Sequence, residues 1–203
     1  LRAGGIRTVH FVCPSIWAWR GERVNKLAAA ADHVLCLFPF EPALLARHGV
    51  SASFVGHPLA DTIPLEPPQA AARAALGLAA DDTVVALLPG SRRSEIAHIA
   101  PALLAAAQRM HGQRPGLRFL LPVAPGLRPL VEPLRAAHAP QAAVELVDGR
   151  SHEVLAACDV TLIASGTATL EAALFKRPMV ITYRLHWLNW LYMKRRAYQP
   201  WFG

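Results

Sequence analysis

Val84-Val85-Ala86-Leu87-Leu88-Pro89-Gly90-Ser91-Arg92-Arg93-Ser94-Glu95 is an unbroken apolar run that stops on Pro-Gly, turns through Ser-Arg-Arg and enters a helical pattern near residue 96. A strand that is apolar on both faces belongs in a parallel sheet covered by helices, and such strands are joined by crossover helices. The stretch therefore reads as one βα step of an α/β protein. Gly90 lets the backbone approach a ligand closely, Ser91 can donate to it, and Arg92 can grip a phosphate through two parallel hydrogen bonds. The helix beyond points N–H groups and the positive end of its dipole at whatever fills the turn. From this turn alone, an ordinary βα connection with solvated arginines is an equal reading.

On both sides of this stretch, short apolar runs alternate with helical patterns, which predicts further βα units. Strands are expected at 9–13, 34–38, 53–55, 84–88, 119–123, 144–147, 160–164 and 179–182. Helices are expected at 22–31, 41–48, 69–77, 96–110, 128–138, 151–157, 167–175 and 187–196. Pro58, Pro64, Pro67 and Pro68 make 58–68 a semi-rigid connector between two βα lobes, with a cleft expected between them. The first lobe has three strand candidates, and three would leave a buried-type sheet edge open to water. It is therefore expected to be incomplete, in keeping with a chain that begins on Leu1 rather than Met.

A second turn repeats the pattern of the first. Leu162-Ile163-Ala164-Ser165-Gly166-Thr167-Ala168-Thr169-Leu170-Glu171 carries a buried strand into Ser, Gly and Thr and then into a helix. Hydroxyls and N–H groups here suit phosphate oxygens, and Glu171 can accept from both hydroxyls of a ribose. Plain capping by Ser165 and Thr167, with Glu171 a solvated helix residue, is the alternative. Two such turns in one lobe favour a nucleotide, because open sheets bind ligands beyond the C-terminal ends of their strands. Neither glycine is followed by Gly-Lys-Ser/Thr, so a P-loop is excluded.

Composition narrows the partners. Of 203 residues 53% are hydrophobic, enough for a real core, yet no apolar run approaches the roughly 18 residues of a membrane span. The net charge of +7 suits an anionic partner. No zinc-finger pattern or aromatic-basic RNA signature is present, so phosphorylated substrates and anionic lipid are expected rather than nucleic acid. Cys13, Cys36 and Cys158 are widely spaced within apolar runs and read as core residues in a reducing compartment. The nine histidines form no HExxH, so no metal site is expected from the chain's own side chains. Residues 183–196, YRLHWLNWLYMKRR, place aromatics beside Lys194, Arg195 and Arg196. Aromatics and basic residues together suit an anionic bilayer surface. Core or dimer packing, with cations favoured at a helix C-terminus, is the competing reading.

Five blocks occur in order: Pro14-Ser15-Ile16-Trp17-Ala18-Trp19-Arg20, Phe38-Pro39-Phe40-Glu41, Phe54-Val55-Gly56-His57-Pro58, Leu88-Pro89-Gly90-Ser91-Arg92, and Ala164-Ser165-Gly166-Thr167 with Glu171. Together they resemble the lipid-A-disaccharide synthases of glycosyltransferase family 19 along nearly the whole chain. The first block is the specific one, whereas the Gly-Ser-Arg and Ser-Gly-Thr turns are widely shared. The resemblance implies a GT-B-like α/β fold of two Rossmann-like lobes with parallel sheets. Residues 1–57 would be the C-terminal part of an incomplete N-terminal lobe, and 69–203 a UDP-sugar-binding lobe truncated at its C-terminus.

It also implies an inverting hexosyltransferase in lipid A biosynthesis, peripheral on the inner face of the cytoplasmic membrane. The donor would be UDP-2,3-diacylglucosamine and the acceptor 2,3-diacylglucosamine 1-phosphate, with no cofactor and a possible homodimer. In that scheme Arg92 is catalytic, stabilising charge on the departing UDP in place of a metal ion. Gly90, Ser91, Ser165, Gly166, Thr167 and Glu171 bind substrate. The family's glycine-rich segment and general-base aspartate lie upstream of Leu1 and its C-terminal segment beyond Gly203, so the chain alone is expected to be inactive. Other readings are another GT-B UDP-sugar transferase or epimerase, and a non-catalytic nucleotide-binding lobe. The block at 14–20 favours the lipid enzyme.

Overall fold

The computed structural model describes residues 1–17 and 21–183. Part of the 14–20 block and the helix expected at 187–196 lie outside the described residues. The chain divides into two compact units between Thr62 and Ile63, within the proline-rich stretch 58–68.

The first unit holds a parallel sheet in the order β1 (Val9–Phe11), β2 (His33–Cys36), β3 (Ala52–Phe54). Helices α1 (Arg23–Ala30) and α2 (Glu41–Ala46) follow β1 and β2. Val24, Leu27, Val34, Cys36 and Leu45 form the centre of its core. β1, one of the two edges of this sheet, is shorter than the apolar run 9–13, and all three of its residues are exposed rather than doubly covered. Val12 ends it at φ 76°, a conformation costly for a β-branched residue. After β2, the buried Glu41 turns back to accept from the N–H groups of Leu37 (3.1 Å) and Phe38 (3.0 Å). Burial, and then the nearby Glu41 carboxylate, push the Cys13 thiol up to about 12. Burial does the same to Cys158, also to about 12, and all three cysteines are free and buried.

A short helix, α3 (Pro58–Thr62), stands where the prolines predict only a connector. Pro58 is its first residue, the helical position at which a missing N–H costs nothing.

The second unit is a five-stranded parallel sheet with strand order β6-β5-β4-β7-β8. Its strands are β4 (Thr83–Leu88), β5 (Leu117–Val123), β6 (Val144–Asp148), β7 (Val160–Ala164) and β8 (Met179–Thr182). Its helices are α4 (Gln69–Ala75), α5 (Arg93–Gln113), α6 (Arg128–His138), α7 (Ser151–Ala157) and α8 (Thr167–Leu174). Val85 and Leu87 share a cluster with Ile96, Ala100 and Leu104 of α5, Phe119 and Leu121 of β5, and Val131 of α6. Each such buried side chain contributes about 1.5–3 kcal/mol. α7 packs against β4 and β5 as well as α4 and α8.

Ion pairing secures the N-terminal end of this sheet. Arg73, 7% exposed, holds both carboxylate oxygens of Asp159 at 2.9 Å and donates to Ala157 O, while Asp159 accepts from the Val84 N–H. Arg177 donates to Leu155 O and Ala156 O, so two guanidinium groups satisfy the last carbonyls of α7. Among the described residues, no helix is long and apolar enough to cross a membrane.

Candidate functional site

The strand order of the second unit marks the place at which open parallel sheets bind ligands. The chain runs outward from β4 through β5 to β6, then returns to the other side of β4 as β7. At such a reversal the connections beyond two neighbouring strands diverge, leaving a crevice at their C-terminal ends. β4 and β7 are paired in register, Leu88 beside Ile163. The Gly90 and Gly166 turns therefore leave the same edge of the sheet side by side.

Gly90 adopts φ 110°, a region that side chains rarely enter, and a Cβ there would lie 2.7 Å from the Glu95 Cβ. Glu95 causes this crowding. As the third residue of α5 it folds back over the turn, and its Oε2 accepts from the N–H groups of Ser91 (3.0 Å) and Arg92 (3.2 Å). Its Oε1 accepts from Arg92 Nη1 at 2.6 Å. Partial burial would raise the Glu95 pKa, but the N–H and guanidinium of Arg92 and the N–H of Ser91 outweigh it, and the pKa is lowered. Two N–H groups and the guanidinium that the sequence offers to a phosphate thus already hold a carboxylate. Arg92 stays accessible, with 79% of its side chain exposed.

The Gly166 turn is built differently. Ser165, half-buried at the end of β7, is tied to β8 by its N–H bond to Thr182 O at 2.9 Å. Gly166 lies at φ 156°, ψ −163°, a region essentially restricted to glycine, with open space where a Cβ would be. Thr167 starts α8 and is exposed. Thr169, the third residue of α8, donates its hydroxyl to Gly166 O at 2.6 Å. Glu171 is no freely solvated helix residue: it is 23% exposed, and its Oε2 lies 3.7 Å from His152 Nε2. His152 also meets the Phe175 ring edge-on at 5.4 Å.

Sequence reasoning missed Glu95, Thr169 and His152. The first two had a signal, since a polar residue three places after an N-cap is the usual helix-start partner. Arg92, rather than Ser or Thr, occupies the N-cap and hid it. His152 had none, because only the packing of α7 beside α8 brings it to Glu171.

Comparison with known proteins agrees with this architecture. A profile of the lipid-A-disaccharide synthetase family matches residues 1–196. The chain is 62% identical to the lipid-A-disaccharide synthase of Albidiferax ferrireducens over all its 203 residues, and 60% identical to that of Verminephrobacter eiseniae. It spans about half the length of these curated relatives, 52% in each case. Among solved structures, it superposes on the pneumococcal O-GlcNAc transferase GtfA, crystallised with UDP and GlcNAc. That match has a TM-score of 0.53 at 15% identity, covering 80% of this chain and 33% of the other, and it supports the GT-B-like fold. By its profile match and its curated relatives, the chain belongs to the lipid-A-disaccharide synthase family.

Proposed function

We propose that the intact protein is an inverting glycosyltransferase that moves 2,3-diacylglucosamine from UDP onto 2,3-diacylglucosamine 1-phosphate, releasing UDP. In this reading residues 69–203 are the UDP-sugar lobe and 58–68 its connector to the other lobe. The observation that carries it is the pair of glycine turns side by side at the reversal of strand order, in a chain of this family. Ser165 holds the diphosphate through its hydroxyl and Gly166 and Thr167 through N–H and hydroxyl groups, with Gly90 and the Ser91 hydroxyl on its other side, and Glu171 takes the ribose hydroxyls. As the bond between the anomeric carbon and UDP breaks, negative charge gathers on the diphosphate. The Arg92 guanidinium and the positive end of α8 offset it, the start of α5 being already capped by Glu95. The intact protein incubated with both sugars should yield the disaccharide 1-phosphate and UDP, and the absence of disaccharide overturns the reading.

Attachment to the inner membrane surface belongs to the same proposal, supported by the net charge of +7 and the Lys194-Arg195-Arg196 cluster. Changing these three to Gln should weaken binding to anionic vesicles, most strongly at low salt. Unchanged binding would reduce 183–196 to packing surface, with a homodimer contact as its alternative use.

A further inference from the structure

Arg92 faces two claims. The proposed function gives its guanidinium to the diphosphate, while in the structure it is bound to Glu95 Oε1 at 2.6 Å. The two oxygens of Glu95 are not equivalent. Oε2 sits on the Ser91 and Arg92 N–H groups, bonds local to the turn and tied to its shape, since the close approach of Glu95 is what leaves Gly90 no room for a Cβ. Oε1 meets the tip of a side chain that is 79% exposed. Glu95 is 20% exposed, but with the guanidinium in solvent the pair is screened from one side and Arg92 can leave it. The backbone contacts can therefore persist while the guanidinium leaves.

Resting on the proposed UDP site, we propose that Glu95 is the resident anion of the Gly90 turn: it shapes the turn through Oε2 and competes with the diphosphate for Arg92 through Oε1. Arg92 then alternates between two anions. It swings to the diphosphate when the nucleotide sugar binds and returns to Glu95 as UDP departs, so that Glu95 weakens UDP binding and hastens its release. Glu95 is a positioning residue, since its contacts are to Arg92 and to the backbone of the turn. At the Gly166 turn the corresponding helical residue, Thr169, is neutral and bonds a carbonyl.

Calorimetric titration of UDP into four forms of the intact protein tests this: wild type, Glu95→Gln, Arg92→Ala and the double variant. Gln keeps an oxygen for the Ser91 and Arg92 N–H groups and removes the charge that holds Arg92, so the turn keeps its shape. Glu95→Gln should bind UDP about three- to fivefold more tightly, the scale of an exposed ion pair released. Its UDP dissociation rate should fall in step. Arg92→Ala should bind more weakly, and the double variant no more tightly than Arg92→Ala, because the gain passes through Arg92. A merely structural Glu95 would leave the UDP affinity of Glu95→Gln equal to or weaker than wild type, whatever its melting temperature, which overturns the competition while the UDP site stands. A gain of the same size with Arg92 removed also overturns it, since Glu95 would then repel the phosphate directly. If Arg92→Ala binds UDP like wild type, the phosphate reading of this turn falls, and the competition with it.

Discussion

After β4 the chain passes through Gly90 into α5, whose third residue is Glu95. After β7 it passes through Gly166 into α8, whose third residue is Thr169. The two side chains occupy the same helical position with opposite polarity. Glu95 accepts, engaging two backbone N–H groups and a guanidinium, whereas Thr169 donates and engages a carbonyl. The first turn is therefore closed over its own negative charge, and what it presents outward is the cation Arg92. The second takes up none of its N–H groups through its side chain and is open where a Cβ would be. Two turns with similar sequences thus differ in what they would offer the diphosphate of the proposed function, the first a charge and the second a neutral cradle.

Alanine at the two glycines should break the symmetry most. Gly90→Ala must push the first turn of α5 away, because the nearest carbon is the Glu95 Cβ, fixed to the helix backbone. With the positive φ added, a loss of about 3–4 kcal/mol in unfolding free energy is expected. Gly166→Ala meets nothing and carries only backbone strain, about 1–2 kcal/mol. Urea unfolding of both variants measures the difference, and equal losses would show that Glu95 does not crowd the first turn.

Charge is the next contrast. Arg92→Ala should lower turnover about a hundredfold, close to the roughly 3 kcal/mol that a preorganised donor contributes to a developing anion. Arg93→Ala, one residue on and without the Glu95 contact, should be milder, and equal effects would count against Arg92 as the leaving-group cation. On the neutral side, Glu171→Ala should weaken UDP about ten- to a hundredfold through lost ribose bonds, with Glu171→Gln milder. Calorimetric titration reads this directly, and unchanged affinity would leave Glu171 as the partner of His152 alone.

How much of this was legible follows from the range of each interaction. The strands of the second sheet were readable because parallel strands buried on both faces leave continuous apolar runs; 160–164 and 179–182 match β7 and β8 at both ends. Both glycine turns were readable because a strand stopping on Ser or Gly before a helix is a local signal. The beginning of α5 was not, since it starts at Arg93 under the Glu95 cap, ahead of the apolar periodicity at residue 96. Longer-range pairings left no trace in sequence: Arg73 and Asp159 are 86 positions apart and meet only once the sheet has formed. An open edge was expected of a three-stranded lobe, but that β1 forms one of the two edges was hidden, because composition does not reveal which strands lie outermost.

The smallest expected effect separates the turns by acid. The pKa of Glu95 is lowered in the folded chain: partial burial opposes ionisation, but the Arg92 and Ser91 hydrogen bonds outweigh it. A lowered folded pKa means that the ionised form is the better bound one. Its contribution to stability is therefore fully present above the ordinary carboxylate value of 4.5 and is lost as pH falls through the lowered folded value. Gln at this position keeps the N–H contacts but cannot titrate. The stability gap between wild type and Glu95→Gln should accordingly be constant from about pH 7 to about pH 5 and narrow below that. Thr169 carries no ionisable group, so Thr169→Val should cost the same at either end of this range, about 1 kcal/mol for one hydroxyl–carbonyl bond. Denaturant unfolding at several pH values measures both gaps. If the Glu95→Gln gap stays flat into acid, the carboxylate is not held by the turn in solution, and the two glycine turns differ in sequence but not in electrostatic design.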